Sequence, residues 1–242
     1  PTCEINKREE HFDIQKRLLE TGVSKVRYIG GEPLMIKYIL DLIMDAKLNG
    51  ANTRLSTNGL LLTKELLMKI KDYLNSIAFP LESYNDELNE KIRGTRKHRE
   101  IIESRIKMIQ DVSDMGILIN TCVHQENIEY LEELGYYLNL LGIDHWKLRK
   151  FSSSSGRGAV INKNRFEISE EVFFQIVQKL QEEYPGLRID GRLPSKLETR
   201  LMISPQGELY RMMKNENENI HYGNILTKKL NIKEIYLRDK CN

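Results

Sequence analysis

The stretch Lys25-Val26-Arg27-Tyr28-Ile29-Gly30-Gly31-Glu32-Pro33 decides how the rest of the chain is read. Polar and apolar residues alternate over its first four positions, and the β-branched and aromatic members suit a strand. Paired glycines at the end of that strand let backbone approach a ligand with no side chain between. Glu32 adds an anion at the same point. Pro33 has no amide to give a sheet ladder but suits the start of a helix, and apolar residues at helical spacing predict one over 34–48. The stretch is therefore a strand, a ligand-facing turn and a helix.

The same grammar repeats outward. Upstream, Phe12, Ile14, Leu18 and Leu19 fall on one face of a helix over 12–20 that Thr21-Gly22 closes. Downstream come a strand over 53–57, a helix over 64–73 capped by Thr63, and a strand over 77–79. A helix over 101–115, a strand over 117–123, a helix over 129–141 and a strand over 145–149 follow. Strands alternating with helices imply parallel βαβ units with right-handed crossovers. Past Phe151 the texture changes. Residues 152–158 are small and polar around Arg157 and read as a loop. Ser169 opens a helix to 183, and 200–203, Pro205-Gln206-Gly207 and 208–211 read as strand, turn and strand, with a further ordered segment over 220–225.

Composition bounds the function. Lys+Arg 37 against Asp+Glu 35 leaves +2 and no basic tract, so neither nucleic acid nor an anionic membrane surface is implied. No apolar run approaches the roughly 20 residues of a membrane helix, and a cytoplasmic protein is expected. The three cysteines, Cys3, Cys122 and Cys241, lie far apart, and their sparse, odd count argues against a secreted disulfide framework. His98, His124, His145 and His221 lack metal-ligand spacing.

With these residues set out, the chain resembles the radical S-adenosylmethionine superfamily. The likeness rests on Glu20-Thr21-Gly22-Val23, Gly30-Gly31-Glu32-Pro33, Leu55-Ser56-Thr57-Asn58-Gly59, Leu81-Glu82-Ser83, Asn89 to Gly94, and Asn120-Thr121 with Val123 and Asn127. It runs in order over roughly 12–226. The resemblance implies an α/β fold, a partial (β/α)6 TIM-type barrel over 1–151, with a small C-terminal α+β extension over 152–242 on the substrate side. It implies S-adenosylmethionine and a [4Fe-4S] cluster as cofactors. By position, Gly30, Gly31 and Glu32 take the cofactor's amino group, and Ser56, Asn58 and Asn120 its ribose or carboxylate. Each lies at the carboxyl end of a strand, where barrels place ligand contacts. Taken singly, Gly-Gly after a strand is also an ordinary tight turn and Ser56 to Gly59 an ordinary loop.

The family holds its cluster with Cys-x3-Cys-x2-Cys, which this chain does not contain. Cys3 is the candidate for one ligand, with the other cysteines and the first strand expected upstream of residue 1. Pro80 stands where many members carry a serine, and Met212 follows Leu209-Tyr210-Arg211 where relatives with auxiliary clusters place a cysteine. A single cluster is therefore expected. Arg149, at the end of the 145–149 strand, and Arg157, in the loop beyond it, are the candidate substrate contacts. The expected partners are a small-molecule or peptide substrate and an electron donor such as flavodoxin or ferredoxin. The leading expectation is an enzyme that cleaves S-adenosylmethionine reductively and abstracts hydrogen from its substrate. The alternative is a clusterless member that binds S-adenosylmethionine or a nucleotide without turnover. Segments near Trp146-Lys147 and Phe166 to Ser169 resemble the viperin-like and molybdenum-cofactor cyclase branches, which favours a nucleotide-like substrate over a peptide.

Overall fold

A computed structural model describes residues 8–153, 160–193, 201–211 and 219–238. Six strands form one sheet in sequential order with every pair parallel: β1 (Lys25–Tyr28), β2 (Asn52–Ser56), β3 (Ser76–Pro80), β4 (Gly116–Val123), β5 (His145–Lys150) and β6 (Arg188–Arg192). Helix α1 (Arg8–Glu20) precedes β1, and α2 (Ile39–Leu48), α3 (Lys64–Ile70), α4 (Asp86–Arg93), α5 (His98–Gln110), α6 (Leu131–Leu140) and α7 (Glu170–Glu183) lie between successive strands. The caps are chemical. Thr63, Asn85 and Ser169 accept from the backbone amides of Leu66, Leu88 and Val172, each meeting a donor that the helix leaves orphaned.

Side chains alternate along a strand, so pairing register sorts them onto two faces. Leu55, Ile77, Phe79, Ile119, Trp146 and Leu148 lie on one face and are buried with the apolar stripes of the helices in a single core. The opposite face carries Arg27 beside Arg54, Asn120 beside Lys147 and Asp190, and Arg149 beside Arg192. Strands about 4.8 Å apart would put β1 and β5 roughly 19 Å apart in a flat sheet. Charges so far apart would be largely screened at physiological salt. Arg27 of β1 nonetheless acts electrostatically on Lys147 and Arg149 of β5, as Arg188 of β6 does on Arg54 of β2. The sheet is curled, and the polar face is its inside.

A second sheet, β7 (Leu201–Ile203), β8 (Glu208–Arg211) and β9 (Ile220–Asn224), is antiparallel. Leu209 and Ile225 pack with Ile14 of α1 and Ile232 of α8 (Ile232–Arg238) in a smaller core. The expected hairpin over 200–211 is thus present in its described part.

Three expectations change. The helix over 34–48 is a 3-10 turn, Pro33–Met35, then α2 from Ile39, because Ile36 turns extended at φ −81° and ψ 115°. The helix over 101–115 is α5, which begins at His98 and ends at Gln110, and Gly116 opens β4 instead of closing the helix. Helix α4 and strand β6 were not expected. The division at 151 and 152 stands as a proposal about folding units; the hydrogen-bonded sheet continues past it, since β6 pairs with β5.

Candidate cofactor and substrate site

Gly30 sits at φ 139°, a conformation that side-chain-bearing residues avoid. A Cβ at Gly30 or Gly31 would meet nothing within 4 Å, so packing does not explain the pair. Glu32 caps the turn that follows. Its Oε1 accepts from Leu34 N at 3.1 Å and from Thr57 Oγ1 at 2.7 Å, and its Oε2 accepts from Asn58 N at 2.7 Å. A carboxylate offers about four acceptor positions, so one remains on Oε2 for a ligand. The same side chain ties the turn after β1 to the turn after β2.

The other expected contacts divide. Asn58 spends its side-chain Oδ1 on the amide of Leu60 at 2.9 Å, an Asx turn, and reaches Glu32 through its backbone. The Ser56 hydroxyl shares the inner face with Arg54, and the Asn120 amide shares it with Lys147; both are partly buried. Neither side chain makes a hydrogen bond within the described residues, which leaves both available. These groups match what S-adenosylmethionine presents: an ammonium for a carboxylate, and hydroxyl and carboxylate groups for a hydroxyl and an amide.

The inner face around and below these contacts is basic, with Lys147 level with Asn120 and Arg149 near the carboxyl end of β5. Arg27, Arg54, Lys147, Arg149, Arg188 and Arg192 share it with one carboxylate, Asp190. Asp190 is already occupied by His145 Nε2 at 2.8 Å, Arg188 at 3.5 Å and Arg192 at 3.8 Å. Arg54 gives its Nε to Ser76 Oγ at 2.8 Å. Arg27, Lys147 and Arg149 have no hydrogen-bonding or ion-pair partner among the described residues, and the buried Arg149 Nε is left orphaned. Buried donors of this kind are expensive without an acceptor. Burial, with Arg54, Arg27 and Arg149 around it, pulls the Lys147 ammonium down to about 7, Asp190 opposing. Burial also lowers Arg149, helped by Arg27 and Arg192 against the opposing Cys122, and burial lowers Arg54, with Arg27 and Arg188 adding to it.

A buried brace holds the strand ends in place. Glu82, 3% exposed, pairs with Arg93 of α4 at 3.2 Å and accepts from Cys122 N of β4 at 2.7 Å. Burial raises its carboxyl, and Arg93 and the Cys122 amide work against that. Asn127 donates to the carbonyls of Glu82 and Cys122, both at 2.9 Å. Trp146 is core: it is fully buried, and its Nε1 donates to Thr121 Oγ1 at 2.8 Å.

The structure thus brings Gly30, Gly31, Glu32, Ser56 and Asn58 to the carboxyl ends of β1 and β2, and places Asn120 within β4 beside Pro80 at the end of β3, with Arg149 near the carboxyl end of β5. Cys3 and Arg157 lie outside the described residues, as do Met212 and Cys241. Arg27, Arg54 and Arg192 are functional candidates that were not singled out from sequence; Thr57 entered only as part of the 55–59 stretch and Lys147 only beside Trp146. Their signal was register. A cation every second residue on neighbouring parallel strands becomes a patch only when those strands are paired. Among the described residues no group of three or more His, Cys, Asp or Glu is placed to hold a metal. Cys122 is no substitute, because burial and then Glu82 push its thiol up to about 12.

A curled parallel sheet with a glycine-glycine-glutamate turn at the rim and cations inside is the framework of a cofactor-dependent barrel enzyme. The Radical SAM superfamily profile matches residues 2–138, and the chain belongs to that superfamily of enzymes. The S-adenosylmethionine-dependent nucleotide dehydratase of Flammeovirga pacifica is 30% identical over 224 residues, 89% of this chain and 73% of that protein. The GTP 3′,8-cyclase of Aliarcobacter butzleri is 31% identical over 120 residues, 48% of this chain and 35% of that protein. Streptococcus suis SuiB bound to precursor peptide SuiA matches with a TM-score of 0.74 at 14% identity, over 95% of this chain and 58% of that one. That likeness shows the fold, a partial barrel, and no more. Superfamily membership implies S-adenosylmethionine and an iron-sulfur cluster. No described helix is long and apolar enough to cross a membrane.

Proposed function

We propose that the chain uses S-adenosylmethionine with a single [4Fe-4S] cluster to abstract hydrogen from a phosphorylated, nucleotide-like substrate. One observation carries the substrate class: Arg27, Lys147 and Arg149 sit on the inner face with no hydrogen-bonding or ion-pair partner among the described residues, and the one carboxylate beside Lys147, Asp190, is already engaged by His145, Arg188 and Arg192. A chain of phosphates matches three separated cations, whereas a neutral peptide backbone would leave them unmet. The name of the Flammeovirga relative points the same way. The cofactor and cluster, the latter held by residues outside those described, supply the radical chemistry. Glu32 takes the cofactor's ammonium, Gly30 and Gly31 keep the approach open, and Ser56 and Asn120 bond its ribose or carboxylate. Arg149, Lys147, Arg27 and Arg54 hold the phosphates and so fix the sugar against the rim. Arg157 adds a contact from the loop after β5. An electron donor such as flavodoxin or ferredoxin delivers the reducing electron.

The test is an anaerobic assay of the full-length protein with reductant, S-adenosylmethionine and matched nucleosides and nucleoside triphosphates. Release of 5′-deoxyadenosine should rise with at least one triphosphate and not with its nucleoside. Equal stimulation by both would remove the phosphate-binding role of the inner face. Binding without cleavage would favour the clusterless alternative.

A further inference from the structure

Glu32 is held by a residue on the other side of its own strand pair. Thr57, 4% exposed at the end of β2, donates its hydroxyl to Glu32 Oε1 at 2.7 Å and accepts from the Gly59 amide at 3.1 Å. Its own amide donates to the Ala78 carbonyl at 3.1 Å, which anchors it to β3. The hydroxyl therefore has its one proton committed to the carboxylate, and the neighbouring turn fixes its orientation. With Leu34 N also on Oε1 and Asn58 N on Oε2, the carboxylate has a set rotation and one open acceptor position.

We propose that Thr57 is a positioning residue for the amino group of S-adenosylmethionine, acting through Glu32. The proposal rests on Glu32 as the ammonium's partner. Without the hydroxyl, Oε1 keeps only one donor and the carboxylate turns about its terminal bond, so the open position no longer meets the ammonium at a fixed point. The methionine end of the ligand should feel this and the adenosine end should not.

Calorimetry on the full-length holoprotein separates the cases, using S-adenosylmethionine and 5′-methylthioadenosine, which lacks the amino and carboxylate groups. Thr57→Val should weaken S-adenosylmethionine by about fivefold, the scale of one lost hydrogen bond, and leave methylthioadenosine within about twofold. Thr57→Ala, which removes the hydroxyl without adding a methyl group, should do the same, and Thr57→Ser should restore the wild-type value. In a Glu32→Gln background the Thr57→Val loss should shrink, because the two residues act as one unit. Equal weakening of both ligands would show a collapsed turn and overturn the proposal, as would an unchanged S-adenosylmethionine affinity in Thr57→Val. A Glu32→Gln variant that binds S-adenosylmethionine normally would instead overturn the placement of the ammonium, and the role of Thr57 with it.

Discussion

At the scale of single residues, the inner face is a problem in charge. Lys147 faces Arg27 from β1, Arg54 from β2, Asn120 and the neutral Cys122 thiol from β4, Arg149 and His145 on its own strand, and Asp190 from β6. Its proton is lost near pH 7 in the fold, against about 10.4 in an unfolded chain. Between those values the unfolded chain binds the extra proton, so this lysine makes the free protein more stable as pH rises above 7. A polyanion reverses the balance: it favours charged Lys147, a proton is taken up on binding, and affinity falls as pH rises through and beyond 7. Nucleoside triphosphate affinity should fall between pH 7 and 9, by roughly tenfold per pH unit at most. Lys147→Arg should flatten that fall, because a guanidinium keeps its proton. His145, held below its usual value mainly by burial, is already neutral in this window. Calorimetry in two buffers of different ionisation enthalpy reads the proton uptake directly. Parallel pH curves for the wild type and Lys147→Arg would sink the assignment. Of this chemistry the sequence shows only part. Gly30, Gly31 and Glu32 are legible because their order after a strand is distinctive, whereas Arg27 and Arg54 each look like the wet side of an ordinary half-buried strand.

At the scale of elements, β6 explains what periodicity misses. Arg188-Ile189-Asp190-Gly191-Arg192 has one large apolar residue and a glycine, so nothing in it announces a strand inside a sheet. The glycine is there for the helix above it. A Cβ at Gly191 would lie 2.9 Å from both γ-methyls of Val177 on α7. Gly191→Ala should therefore push α7 off β6 and cost about 1–3 kcal/mol, read from the urea midpoint, as overpacking elsewhere does. An unchanged midpoint would mean that the helix shifts freely and that the close approach is not required. The displaced strand carries Asp190 and Arg192, so phosphate binding should weaken in the same variant. The break between Pro33–Met35 and α2 was equally hidden, because Glu32 spends its side chain as a cap on Leu34, and pattern alone does not show where a side chain bonds.

At the scale of the whole molecule, near-neutrality conceals an asymmetry. The chain's formal net charge is +2, yet the inner face gathers six arginines and lysines around one carboxylate, so the balancing acidic groups lie elsewhere. Overall charge therefore does not forecast the partner; the pointers in the sequence are the likeness of the segments near Trp146-Lys147 and Phe166 to Ser169 to nucleotide-processing branches and the placing of Arg149 and Arg157, whereas the cation patch itself emerges only once the strands are paired. The consequence is measurable as stability. A ligand at 100 times its Kd that binds only the folded state adds about 2.7 kcal/mol. A domain of this size moves roughly 2–4 °C for each kcal/mol. A saturating nucleoside triphosphate should thus raise Tm by about 5–10 °C. The corresponding nucleoside should give much less, and sulfate at matched ionic strength should not reproduce the effect. Replacing Lys147 and Arg149 together by methionine should abolish the triphosphate shift while leaving most of the shift produced by S-adenosylmethionine, whose ammonium is held by Glu32 after β1 and of whose contacts only Asn120 adjoins Lys147. Should the double variant keep its full response to triphosphate, the phosphates are held somewhere other than this face, and the nucleotide reading loses its physical support.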